Sequence, residues 1–155
     1  MATYGIPAFQ ATMSSSYKSS ASQWQSATPR RTKWYEIIGG AVQNPVATDT
    51  QIQLDVSRFT TTTGLAGTAF TPNPTDPADA ACQAVVAINL TTDPVVTANS
   101  SVMNFGLNQR GTTRWIAAQE SQFLIVAATA QAGFNCRQLS ANYNTSIATQ
   151  ITFME

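Results

Sequence analysis

Polar and apolar side chains alternate over Gln51–Phe59, with Ile52, Leu54 and Val56 on one face and Gln51, Gln53, Asp55 and Ser57 on the other. A period of two predicts a half-buried antiparallel strand, closed here by four threonines and Gly64. Residues 33–38 are rich in aromatic and β-branched side chains and run into Gly39-Gly40, which predicts a first strand ending at the glycine pair. Residues 145–153 predict a last one, with Ile147, Thr149, Ile151 and Phe153 sharing a face. Between them lie shorter runs at 95–97, 102–109, 113–118 and 123–129, and a weaker one around 134–139. Gly, Pro and Asn signals separate these runs.

Residues 71–77 hold Pro72, Pro74 and Pro77, which fix φ and remove three backbone donors, so this stretch reads as a loop. Asp76-Pro77 resembles a cap followed by proline at the first helical position, and the Ala-rich residues 78–86 behind it are the one predicted helix. About eight short strands with turn signals between them predict an all-β domain over residues 30–155, an antiparallel β-sandwich or jelly roll. The strand–helix alternation of a parallel sheet is missing.

The first 29 residues read differently. They contain 7 Ser, 3 Thr and 3 Gln, with Lys18 as the sole charged side chain, and suggest an extended N-terminal arm outside the domain. Its aromatics Tyr4, Phe9, Tyr17 and Trp24 need apolar surroundings, which points to an arm that orders against a partner surface or a neighbouring subunit.

Composition narrows the chemistry. Eight basic residues offset eight acidic ones and the charged fraction is 10%, against about 25% in ordinary domains. That balance argues against nucleic acid and against a charge-driven membrane contact. Ser, Thr, Asn and Gln account for 57 of the 155 residues, so neutral polar groups wet the surface. The longest strongly apolar stretch, residues 123–128, falls far short of the roughly 20 residues a spanning helix needs. The opening residues lack the basic and apolar regions of a signal peptide, so no export is expected. The three N-x-S/T triplets, at Asn89, Asn99 and Asn144, are what such a composition produces by chance.

There is no histidine, which removes the commonest general base and metal ligand. Cys82 and Cys136 alone cannot build a zinc site; they are read as two buried thiols or one disulfide. Among the carboxylates, Asp76, Asp79 and Asp93 sit in turns where capping explains them. Glu36 and Asp55 lie on predicted strands, where they either face each other across a sheet or each meet an arginine. No nucleophile elbow, P-loop, dinucleotide glycine pattern or calcium loop occurs. The expectation is no enzyme, no cofactor, no metal and no small-molecule substrate.

The most distinctive stretch is Leu107-Asn108-Gln109-Arg110-Gly111-Thr112-Thr113-Arg114-Trp115-Ile116-Ala117. One reading makes it a bulged strand, with Arg110 and Arg114 bonding carbonyls or carboxylates at a sheet edge and Trp115 in the core. The other places the three at a subunit interface, where Arg and Trp are favoured anchors.

Arg30-Arg31 followed by Trp34-Tyr35-Glu36 and a glycine pair, the loop with Asp76-Pro77-Ala78-Asp79, and the run Leu107 to Arg110 with Arg114-Trp115-Ile116-Ala117-Ala118 together resemble the capsid decoration, or cement, proteins of tailed bacteriophages. The similarity spans residues 29–155 and departs from the pattern at Gly111, where alanine is expected. The resemblance implies a homotrimeric β-sandwich on the exterior of the virion. It would sit above local three-fold positions, bind the major capsid protein, bridge adjacent coat subunits and be assembled in the host cytoplasm. Competing readings are a host-surface or carbohydrate-binding module, or another virion component such as a tail, neck or minor coat protein.

Overall fold

The computed structural model describes residues 1–10, 19–42, 51–139 and 146–155. They form two antiparallel sheets facing each other. The first sheet runs β1 (Thr3–Gln10), β11 (Ile147–Met154), β3 (Thr32–Ala41), with β8 (Thr112–Ile116) and β9 (Leu124–Val126) end to end along the far edge of β3. The second runs β5 (Ala66–Phe70), β6 (Val85–Thr92), β2 (Ser19–Trp24), β10 (Gly133–Gln138), β4 (Gln51–Phe59), β7 (Val96–Asn108). The expected β-sandwich is therefore present, with eleven strands among the described residues in place of about eight.

The core lies between the sheets. Tyr4, Ile6, Trp34, Ile37, Ile151 and Phe153 from the first sheet meet Ala21, Val56, Val86, Phe134 and Cys136 from the second, all buried. Two bulges set which side chains point inward. Opposite Thr152 and Phe153, β3 carries one extra residue, so Trp34 and Ile37 both reach the core although an odd number of residues apart. In β2, Ser20 is the extra residue opposite the step from Cys136 to Arg137. Its hydroxyl lies 2.7 Å from that of Thr149 in the facing sheet. Trp34 Nε1 likewise donates across the core to Gln23 Oε1. Buried polar groups thus tie the sheets together where apolar side chains leave off.

Three expectations are corrected. First, the segment read as an arm supplies β1 and β2, one strand to each sheet, with β2 in the interior of its sheet. Tyr4, Ile6 and Ala8 of β1 are buried, so the apolar side chains find their surroundings within the chain itself. Residues 25–31 are the connection from one sheet to the other. Buried Gln25 holds it, accepting from Arg30 N at 3.0 Å and donating to Thr32 Oγ1 at 3.1 Å.

Second, residues 78–86 form no helix. Asp76 Oδ1 accepts from Ala78 N at 2.9 Å and its carbonyl from Asp79 N at 3.0 Å, closing a tight turn. The Ala80 carbonyl is taken by the Tyr4 hydroxyl at 2.7 Å, and Val85 and Val86 pair with Trp24 and Gln23. A run this short cannot outbid such contacts on helix propensity alone. The one helical turn described is a 3₁₀ turn at Glu120–Gln122.

Third, β3 continues through Gly39-Gly40. A side chain at Gly39 would stand 3.1 Å from Leu54 Cδ1, so glycine here permits close approach of the sheets and does not end the strand. The runs at 95–97 and 102–109 are parts of one strand, β7, bulged where Asn99 takes a left-handed φ of 55°.

Candidate functional site

The outer face of the first sheet is built by register. Across β1, β11, β3 and β8, one row places Phe9, Ala148, Gly40 and Thr112 side by side, and the next places Pro7, Gln150, Ile38 and Arg114. Small side chains between larger ones leave a groove of about 420 Å³, and among the described residues no charged one lines it. Phe9 at 48% and Val42 at 50% exposure border it. Beside the groove, Arg114 Nη2 and Nε each lie 2.6 Å from Glu36 Oε1, and Thr152 Oγ1 donates to Glu36 Oε2 at 3.1 Å.

The sequence-derived residues distribute as follows. Tyr4 is in the core, its ring stacked on Phe153 with centroids 5.3 Å apart. Phe9 is the one aromatic of the expected arm that the described residues leave substantially exposed. Trp24 is partly buried beside Gly133, and Tyr17 lies outside the described residues. Arg110 sits in a turn, where its N–H donates to Asn108 Oδ1 at 2.8 Å and the Gly111 N–H to the Asn108 carbonyl at 3.0 Å. That turn carries the chain from the second sheet to the first. Arg114 forms the sheet-edge ion pair with Glu36, and Trp115 is partly buried against the core.

Glu36 and Asp55 stand in different sheets, each beside an arginine. Asp55 is buried and its Oδ2 accepts from Arg137 Nε at 2.9 Å; the hydroxyls of Ser57 and Ser101 also donate to it. Burial pushes the carboxyl up, but the hydrogen bonds of Ser101, Ser57 and Arg137, with the arginine charge, prevail and hold it below the usual range. A depressed native pKa means that this stabilisation is complete above the unfolded aspartate value, about 3.9, and drains away as pH falls through the lower native value. Denaturant midpoints measured on acidification will fall below about pH 4, and the Asp55→Asn variant will show a flatter acid limb. Identical acid limbs would dismiss the assignment.

Cys82 and Cys136 are free thiols, which settles the alternatives in favour of no disulfide. Burial pushes each up to about 12, and at Cys82 the nearby Glu155 adds to the effect. Since the thiolate is the nucleophile, native protein at pH 8 will consume no thiol reagent rapidly, and two equivalents once denatured. A fast equivalent in the native state would contradict this environment. No cluster of three or more Cys, Asp or Glu suited to a metal occurs among the described residues. No helix among them is long and apolar enough to cross a membrane. Sequence reasoning missed the groove because Phe9, Ile38 and Val42 look like ordinary alternation until the register aligns them.

Neither a protein-family model nor a curated protein matches this chain. Among solved structures, a chain of the semi-empty virus-like particle of the giant freshwater prawn Macrobrachium rosenbergii nodavirus aligns with 99% of this chain over 90% of its own length. Identity is 15% and the TM-score 0.35, a likeness too loose to carry any argument about this protein.

Proposed function

We propose that this protein is a structural component of a virus particle that decorates and stabilises a bacteriophage capsid. In this reading it binds the outer surface of the shell as a homotrimer and bridges subunits of the major capsid protein. The observation that supports it is the groove on the outer face of the first sheet, which no charged side chain among the described residues lines and which half-exposed Phe9 and Val42 border. Apolar side chains framing a hollow are the kind of surface that the core of a protein contact buries. A partner seated there gains from apolar burial and neutral hydrogen bonds to residues such as Gln150 and Thr112, with little dependence on salt-screened ion pairs.

Mass action supplies the mechanism. A protein that binds the assembled shell and not its separated subunits shifts the equilibrium toward the shell. Three linked copies multiply the effect through their local concentration.

The test mixes the protein with undecorated shells of the virus that encodes it. Wild-type protein sediments with the shells to a fixed copy number, has the mass of three chains in solution, and raises the temperature of shell disruption. Phe9→Asp with Val42→Asp, at half-exposed positions that leave the core intact, will fold and bind at least roughly tenfold more weakly. Equal binding by that variant would remove the groove from the contact, and failure of the wild type to sediment would remove the virion role.

A further inference from the structure

A second groove, of about 640 Å³, opens at one end of the sandwich where β9 of the first sheet faces the ends of β4 and β10 of the second. Ile125, Ala127 and Ala128 give it an apolar wall over the buried side chains of Val126 and Phe134, and its rim carries Arg31 and Arg58. The Arg58 guanidinium carbon stands 5.3 Å from the centre of the fully buried Phe134 ring, and this cation–π contact holds the cation at the rim. Arg31 enters from the connection between the sheets, the one that Gln25 fixes. Among the described residues no carboxylate lines this groove, and neither Arg31 nor Arg58 forms an ion pair. In a chain with equal numbers of acidic and basic residues, two exposed guanidinium groups converging on one apolar hollow mark it for an anion with an apolar body.

We propose that this groove binds a peptide segment of another protein in which a carboxylate stands beside a bulky apolar side chain. The apolar side chain lies against Ile125, Ala127 and Ala128, and the carboxylate takes charge-assisted hydrogen bonds from Arg31 and Arg58. The volume is within the range of ligand pockets, about 300–1,000 Å³, and accommodates one large side chain with its flanking backbone. The hollow lies between the sheet ends, apart from the outer-face groove, and stands whether or not the protein belongs to a virion.

The experiment titrates the full-length, isotope-labelled protein with the capped peptide acetyl-Gly-Phe-Asp-Leu-Gly-amide and follows backbone amide and arginine Nε–H resonances. Saturable shifts are expected at Ala128, Gly133, Phe134 and the Arg58 Nε–H, weakening as salt is raised. The same peptide with Asn in place of Asp will bind at least roughly tenfold more weakly, as will the Arg31→Gln, Arg58→Gln double variant toward the acidic peptide. Both arginines are exposed, so the variant keeps its fold, and an otherwise unchanged spectrum checks this. Ala128→Glu, which adds a carboxylate to the rim at another exposed position, will also weaken binding. Absence of saturable shifts in the groove, equal affinity for the Asn peptide, or unaltered binding by the double variant would each overturn the proposal. No shells enter this measurement, so its failure is separate from failure of the capsid reading.

Discussion

Deleting residues 1–29 will destroy the fold. The deletion takes away β1, whose eight residues pair with β11 and whose Tyr4, Ile6 and Ala8 are buried. It also takes β2 from between β6 and β10, which leaves two strands of the second sheet with backbone donors and acceptors unpaired beside the core. The cross-core bonds of Gln23 with Trp34 and of Ser20 with Thr149 go with it. A domain of this size has only about 5–15 kcal/mol of stability to lose, and removing a buried interior strand exceeds that. The truncated chain will be insoluble or will show no cooperative thermal transition by circular dichroism. A soluble truncation with a sharp transition and a dispersed NMR spectrum would restore the detachable arm that composition suggests.

Trp34→Ala will cost about 3–5 kcal/mol, the range for emptying a fully buried aromatic site. Trp34 is 0% exposed, lies 5.5 Å centroid to centroid from Phe134 in the opposite sheet, and donates to Gln23 Oε1. Three contributions are lost together: apolar burial, ring contact and an inter-sheet hydrogen bond. In urea the midpoint will fall with little change in slope, since the surface exposed on unfolding is nearly the same. Trp34→Phe keeps a ring but withdraws the donor, leaving the Gln23 oxygen buried without its partner, at about 1–3 kcal/mol. Combining Trp34→Phe with Gln23→Met will cost less than the sum of the two single changes, because the orphaned amide disappears with the second substitution. A loss below about 1 kcal/mol for Trp34→Ala would show that the indole does not bridge the sheets.

Periodicity made some elements legible and concealed others for identifiable reasons. β4 and β11 alternate cleanly because each turns one apolar face to the core, and both fall where the pattern puts them, although Asp55 and Ser57 on the polar face of β4 are buried as well. β1 also alternates, through Tyr4, Ile6 and Ala8, but Gly5 and Pro7 at the intervening positions read as breakers. Proline is tolerated there because β1 is an edge strand. β2 shows no apolar pattern at all, since its inward side chains include Ser20 and Gln23, whose burial depends on partners in the facing sheet. β6 begins inside the expected helix, where strand pairing with β2 prevails over the local preference of an alanine run.

The candidate sites divide the same way. The sheet-edge pairing of Arg114 was readable, because Glu36 and Arg114 both fell on runs of strand character. Both grooves required the register of strands distant in sequence. Arg31 stands on the connection between the sheets and Arg58 on β4, and nothing in their own neighbourhoods brings them to one rim.

The proposed virion role is tested by an electron-microscopy reconstruction of particles of the virus that would encode this protein. Three copies are expected around each local three-fold position on the shell exterior, with Phe9, Ile38 and Val42 turned toward coat subunits and each copy touching more than one of them. Particles without the protein, or with single copies confined to the tail and the Phe9 face open to solvent, would contradict it.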